Sequence, residues 1–211
     1  MKIGIVGSGN VGGALGSRWA KLGHEVVFGT RHPGSGDVQK LAARASGKTS
    51  AATLADAARE GEVLLLATPW LATQEILAGL GDLKGKILID ATNPLIFAPK
   101  GLELALGHTD SAGEQVQRWL PSAHVVKAFN IVGYAHMFKP DFPGGPPDMF
   151  ICGNDAGAKH TVTEILKDFG WPTIDIGGIK GSRLLEPMCV LWVGYAMSAG
   201  NGNHAFKLLR K

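Results

Sequence analysis

Three glycines, Gly7, Gly9 and Gly12, stand in the spacing G-x-G-x-x-G within Gly7-Ser8-Gly9-Asn10-Val11-Gly12. That spacing suits holding a pyrophosphate against backbone amides. The first glycine permits a tight turn. The second leaves room for phosphate where a Cβ would stand, and the third lets a helix pack closely on a strand. A helix predicted from about Asn10 to Leu22 would aim its free N–H groups and positive dipole end at the phosphates. The spacing alone is a weak signal. Here the apolar run Ile3 to Val6 precedes it and Val26-Val27-Phe28 follows the helix, which is the strand–turn–helix–strand context the motif requires.

The end of the second predicted strand selects the cofactor. Dinucleotide sites for NAD place Asp or Glu there to bond the ribose 2′-OH. Here the chain reads Gly29-Thr30-Arg31, then His32, with no carboxylate. A planar cation beside a hydroxyl suits a 2′-phosphate, so the cofactor predicted is NADP. Ser35, in the short loop from His32 to Gly36, is a further candidate to reach that phosphate.

Ligands on open parallel sheets lie beyond the carboxyl ends of the strands. Three more segments end there: Ala67-Thr68-Pro69-Trp70, Asp90-Ala91-Thr92-Asn93-Pro94, and Lys127-Ala128-Phe129-Asn130-Ile131-Val132. Thr68 and Pro69 form a loop whose backbone faces the cofactor, with Pro69 pre-setting φ at the start of the next helix. Trp70 either covers the cofactor or packs on the sheet. Asn93 and Asn130 offer donor and acceptor to a ribose or a carboxamide, or serve as turn residues. Lys127 either neutralises charge near a ligand or snorkels at a strand end. His136 and Arg183 receive no role. There is no Ser-His-Asp set and no pair of carboxylates, so no catalytic residue is named. Hydride transfer between two positioned rings needs none.

The elements that must position these residues alternate strand and helix, which predicts a parallel sheet with right-handed crossovers. Strands are expected near residues 48–52, 62–67, 86–90, 124–129, 149–152 and 172–176. Helices are expected at 37–45, 53–59, 71–80, from the capping box Ser111-x-x-Glu114 onward, at 155–169, and from about Ser182, where Pro187 predicts a late start or a kink. The fold class is therefore α/β: a Rossmann-type, doubly wound, mostly parallel sheet with a short C-terminal helical extension. Residues 1–177 form the NADP-binding domain and 178–211 the extension. No large substrate domain fits in the remainder, which favours a flat acceptor laid on an open nicotinamide.

Composition narrows the class. The 211 residues carry a formal charge of only +3, with no Lys/Arg run, so no nucleic-acid surface is expected. The apolar run Met188 to Ala199 is too short to span a bilayer, which takes about 20 residues. The first predicted strand begins almost at Met1, so no leader is expected. Two distant cysteines, Cys152 and Cys189, read as reduced core thiols of a cytoplasmic protein. The seven dispersed histidines predict no metal. The same apolar C-terminal run predicts a helix buried in its own subunit or at a homodimer face.

Taken together, Gly7-Ser-Gly-Asn-Val-Gly12, Gly29-Thr-Arg31, Thr68-Pro-Trp70, Val126-Lys-Ala-Phe-Asn-Ile-Val132, Ile151-Cys-Gly-Asn-Asp155 and Gly181-Ser-Arg-Leu-Leu-Glu186 resemble the deazaflavin (coenzyme F-420)-dependent NADP oxidoreductases. Lys127 to Asn130 with Asn93-Pro94 is also similar to the cytosolic NADPH-binding domain of six-transmembrane ferric reductases. The resemblance implies hydride transfer between nicotinamide C4 and deazaflavin C5. It implies that Ser8 to Val11 bind the pyrophosphate, that Thr30 and Arg31 hold the 2′-phosphate, and that Asn93, Asn130 and Val132 line the nicotinamide side. Two positions depart from archaeal members, which have an apolar run in place of Asp90 to Pro94 and His in place of Asn130. Both lie beside the second-cofactor pocket, so FMN or FAD stands next to the deazaflavin as acceptor. The rival readings are an NADP-dependent reductase of a small organic substrate, for which Lys127 is the one attractive proton donor, and a non-catalytic NADP-sensing protein.

Overall fold

The structure, a computed structural model, describes residues 1–45, 47–99 and 101–211. In chain order its elements are β1 (Lys2–Val6), α1 (Asn10–Lys21), β2 (Glu25–Thr30), α2 (Gly36–Arg44), β3 (Thr49–Thr53), α3 (Leu54–Glu60), β4 (Val63–Leu66), α4 (Trp70–Ala78) and β5 (Ile87–Asp90). Then follow β6 (Leu95–Ala98), β7 (Gly101–Leu104), α5 (Ala112–Trp119), β8 (His124–Lys127), β9 (Met149–Gly153), α6 (Ala156–Asp168), β10 (Thr173–Asp175) and α7 (Ser182–Ala199). Polar caps set several starts: Thr53 accepts from Asp56 N at 3.1 Å, Ser111 from Glu114 N at 3.2 Å, and Asp155 from Ala158 N at 2.7 Å.

Eight strands form one sheet in the order β10-β9-β8-β5-β4-β1-β2-β3. The six from β3 to β8 run parallel, which is the doubly wound Rossmann order with its switch between β1 and β4. Their inward residues, among them Ile3, Ile5, Phe28, Leu64 to Leu66 and Leu88, are fully buried, as strands covered on both faces must be. The register places the carboxyl ends abreast: Gly29 pairs with Val6, Val6 with Leu66, Leu66 with Asp90, and Asp90 with Lys127. One sheet edge therefore collects every loop singled out above.

Three expectations change. β9 runs antiparallel to β8, pairing Val126 with Gly153, and β10 follows β9 in parallel. The connection over residues 128–148 holds only a 3₁₀ turn, Tyr134–His136, among its Pro and Gly residues. No helix carries the chain back along the sheet, so it re-enters from the carboxyl end of β8. Second, β6 and β7 form an antiparallel hairpin, Leu95 opposite Leu104, that the strand–helix alternation did not anticipate. Third, α7 begins at Ser182, well before Pro187, and runs through it. The helix starts at Ser182 as expected, and of the two effects expected of Pro187 only the late start is excluded.

Beneath the sheet edge, Trp19 of α1 lies 5.3 Å from Phe169, which also meets Phe129 at 5.8 Å and Phe138 at 5.1 Å, ring centre to ring centre. This cluster fixes the glycine-turn helix against the loop that leaves β8. The chain after α7 folds back: Phe206 O accepts from Asp148 N at 2.9 Å, and Leu208 N donates to the Asp148 carboxylate at 2.7 Å.

Candidate functional site

The glycine turn has the geometry its residue types demand. Gly7 sits at φ +106°, where a side chain is strained. A Cβ on Gly12 would collide with the Gly7 carbonyl, whereas a Cβ on Gly9 would meet nothing within 4 Å. The chain thus leaves open space over Gly9 alone of the three. α1 begins on Gly9 with no side-chain cap and no acidic residue in its first turn, so its first amides face outward unpaired. Its basic residues, Arg18 and Lys21, lie in the last turn. The polarity of the helix is that of an anion site at its N-terminus.

A groove of about 670 Å³ runs from this turn past Ser8, Gly9 and Asn10 to Thr30 and Ser35, with Tyr134 on its wall. Ser35 is the N-cap of α2 yet makes no side-chain cap bond, which leaves its hydroxyl free. Thr30 Oγ1 accepts from His32 N at 3.4 Å. Arg31 is placed differently from Thr30 and Ser35. It is exposed and lies across the end of β2, in a neighbouring apolar cleft of about 230 Å³ with Leu54, Ala72 and Ile76. Asp37, at the start of α2, also lines the groove, as does Tyr134. Sequence reasoning missed both: Asp37 reads as an ordinary acidic first-turn residue, and Tyr134 sits in a loop without periodicity.

At the end of β4, Pro69 occupies the N-cap position of α4 at φ −58°, just before the helix proper rather than inside its first turn. Thr68 Oγ1 lies 2.9 Å from Thr73 Oγ1, and Thr73 Oγ1 donates to the Pro69 carbonyl at 3.1 Å. Trp70 stacks on Trp119 of α5 at 5.5 Å and 23°. That partner belongs to a helix, so the contact observed is neither with a cofactor nor with the sheet.

The carboxyl ends of β5 and β8 are cross-tied. Asn93 Nδ2 donates to the Asn130 carbonyl at 2.9 Å, and Asn130 Nδ2 donates to Asn93 Oδ1 and to Leu185 O of α7, each at 3.0 Å. Asn93 is half-buried, while Asn130 is only 3% exposed and stands behind it. Asn130 Oδ1 is buried without a partner. Pro94 and Val132 are buried, Pro94 accepting from Ala105 N at 2.7 Å as the β6–β7 hairpin closes. Between Lys127 and Asn130 the chain turns sharply through Phe129, buried at φ +63°, a conformation costly for a side-chain residue and typical of functional bends.

Lys127 does not snorkel. Its Nζ is fully buried, 2.9 Å from Asp90 Oδ2, 3.0 Å from Glu186 Oε1 and 2.9 Å from Thr92 O. Burial opposes its charge, but the two carboxylates more than offset that and its pKa is raised. Asp90 Oδ1 also accepts from Thr92 N and Oγ1, and Glu186 accepts from the first amides of α5, Ala112 N at 2.9 Å and Gly113 N at 3.0 Å. Neither carboxylate was foreseen as its partner. The i-to-distant spacing of Asp90, Lys127 and Glu186 carries no local signal.

Arg183 grips Glu114 with two 2.7 Å bonds and so ties α7 to α5. It also lines a cavity of about 1220 Å³, whose apolar wall comes from Leu102, Leu104, Leu106, Leu184 and Val190. His136 Nε2 lies 3.2 Å from Asn203 Oδ1, within the folded-back tail. Cys152 and Cys189 are free and buried, and burial pushes their thiols up to about 11 and about 12. Among the described residues, no helix is long and apolar enough to cross a membrane, and no three His, Cys, Asp or Glu are grouped to hold a metal.

Residues 2–94 match the family model for NADP oxidoreductase, coenzyme F420-dependent. The F420-dependent NADP reductase of Methanothermobacter marburgensis is 31% identical over 208 residues, covering 92% of this chain and 91% of that protein. The rat metalloreductase STEAP3 is 30% identical over 186 residues, and this chain spans only 36% of its length. A crystal structure of a candidate F420-dependent NADP-reductase from Arthrobacter sp. FB24 superposes with a TM-score of 0.92 at 35% identity over the whole of both chains. By its sequence over nearly full length and by its fold, the chain belongs to the F420-dependent NADP oxidoreductase family.

Proposed function

We propose that the protein transfers a hydride between NADP(H) and a flat redox cofactor, deazaflavin coenzyme F420 or a flavin. The observation that carries the nucleotide half is the open space over Gly9 at the uncapped N-terminus of α1, beside two glycine positions that are sterically closed. Ser8 to Val11 would hold the pyrophosphate, with the Gly7 and Gly12 backbone shaping the turn. Thr30, Arg31 and Ser35 would hold the 2′-phosphate. Arg31 swings from its exposed position at the rim of the apolar cleft to do so, and Thr68, Pro69 and Trp70 bound the same edge of the sheet. When bound, NADP(H) supplies or accepts the hydride at nicotinamide C4.

The rest falls to positioning. Asn93, braced from behind by Asn130, presents a half-exposed amide at the switch edge, with Pro94 and Val132 packed beneath it. Hydride transfer of this kind needs the two rings aligned at about 3–3.5 Å rather than a proton donor. Lys127, the donor the small-substrate reading would use, is engaged with Asp90, Glu186 and Thr92 O, which favours the flat-acceptor reading.

The reading includes residues 1–177 as the nucleotide domain and 178–211 as an extension, in a cytoplasmic homodimer. The exposed apolar residues Leu184, Leu191, Tyr195 and Met197 of α7 supply the face for a second copy. The test is a titration of tryptophan-to-nicotinamide energy transfer with NADPH and NADH, followed by anaerobic addition of oxidised F420, FMN or FAD. Tight NADPH binding with NADPH-dependent loss of one acceptor's visible band supports the reading. Tight binding with no acceptor reduced turns it into an NADP sensor.

A further inference from the structure

A fully buried lysine with two carboxylates is an expensive way to hold a fold together. Desolvating the charges consumes most of their attraction, and apolar side chains of like size often stabilise as well. What such a cluster supplies instead is one defined geometry. Here it joins four elements at a point: the carboxyl ends of β5 and β8 through Asp90 and Lys127, the N-terminus of α5 through its Ala112 and Gly113 amides, and α7 through Glu186.

Each arm lies within three residues of the switch-edge amides. Lys127 Nζ holds the Thr92 carbonyl, one residue before Asn93. Lys127 ends β8, and Asn130 follows three residues later. Glu186 follows Leu185, whose carbonyl takes the Asn130 amide. The bend at Phe129 is kept at its unfavourable φ between these anchors. Shifting any arm would shift the Asn93–Asn130 pair. No atom of Lys127 is exposed, so it meets no ligand itself.

We propose that Lys127 is a positioning residue: through Asp90, Thr92 O and Glu186 it fixes Asn93 and Asn130 for the nicotinamide end of the dinucleotide. The inference rests on the proposed NADP reading. It separates the two ends of the groove. The adenosine end, at Thr30 and Ser35, is built on β2 and α2, and among the described residues no hydrogen bond or ion pair joins it to the cluster.

Lys127→Met alone would strand two buried carboxylates, so the variant is the neutral triple Lys127→Met/Asp90→Asn/Glu186→Gln. The second variant, Glu186→Gln, keeps the Lys127–Asp90 pair and loosens the contacts that Glu186 makes to Lys127 and to the first amides of α5. Each is titrated with NADPH and with adenosine 2′,5′-bisphosphate, which fills only the adenosine end. The expected result is bisphosphate affinity within about twofold of wild type and NADPH affinity lower by about tenfold in the triple variant, the loss of about 1.4 kcal/mol that one or two hydrogen bonds represent. Glu186→Gln should fall between, and fluorescence of bound NADPH should shift towards that of the free nucleotide. A lowered Tm with both affinities unchanged, or both affinities reduced in parallel, overturns the proposal and leaves Lys127 a structural residue. Wild-type protein that binds the bisphosphate but gains nothing from the nicotinamide half overturns it too, while leaving the adenosine site standing. Wild-type protein that binds neither overturns the NADP reading itself.

Discussion

Asn93 and Asn130 hold each other through two hydrogen bonds, side chain to side chain at 3.0 Å and side chain to main chain at 2.9 Å. The second amide proton of Asn130 Nδ2 goes to Leu185 O at 3.0 Å, so this one group joins β5, β8 and α7. Asn130→Asp replaces that donor with an acceptor facing two oxygens. At neutral pH it should cost about 2–3 kcal/mol in urea unfolding, since buried oxygens then oppose one another. A loss below about 0.5 kcal/mol would show that α7 does not depend on this contact.

Gly9 and Gly12 separate ligand binding from folding. Gly9→Ala places a methyl in open space, so Tm should stay within a degree or two while NADPH binding falls by about tenfold or more. Gly12→Ala drives a methyl into the Gly7 carbonyl and should destabilise the protein by about 1–3 kcal/mol. Differential scanning fluorimetry with and without NADPH reads both. A Gly9→Ala protein that binds NADPH normally would move the pyrophosphate away from this turn.

Arg31 is exposed at the end of β2, and no salt bridge holds it among the described residues. Arg31→Ala should weaken NADPH by about ten- to hundredfold, the range for losing charge-assisted bonds, and leave NADH unchanged. Equal losses for both nucleotides would assign Arg31 to the adenine instead of the 2′-phosphate.

Two carboxylates tie the start of α5 to its surroundings. Arg118 beside Asp110, with help from Gln115 and the Ser111 amide, holds the Asp110 carboxyl down from 3.8 to about 2. Arg183 likewise lowers Glu114. A depressed carboxylate stabilises the fold above its unfolded pKa and loses that contribution as pH falls through its folded pKa. Stability should therefore hold from neutrality down to about pH 4 and decline towards about pH 2. Arg118→Ala should flatten the part owed to Asp110. Urea midpoints measured across that range check it, and parallel curves for the two proteins would contradict it.

Much of this was legible in the sequence. The glycine spacing, the two flanking strands and the caps at Thr53, Ser111 and Asp155 are local signals, and each sits where its chemistry requires. The reversal at β9 was hidden because strand patterns carry no direction. Only the missing helix between Phe129 and Asp148 hints at it. The β6–β7 hairpin was readable in part: the apolar run Leu95 to Ala98 and the alternating Gly101-Leu102-Glu103-Leu104 stand two residues apart, with Pro99 between them. Lys127 was misread because its partners lie 37 residues before it and 59 after it in sequence, brought abreast only by sheet register and the docking of α7. The sequence likewise marked Asn93 and Asn130 without revealing that one shields the other.

The central claim is hydride exchange with a flat acceptor, and rapid anaerobic mixing tests it most directly. Purified protein with NADPH is mixed in turn with oxidised F420, FMN and FAD, and each acceptor's visible absorbance is followed. Fast NADPH-dependent bleaching of one of them is expected, with deuterium at nicotinamide C4 slowing the step from one face only. NADPH bound tightly while all three acceptors stay oxidised would contradict it.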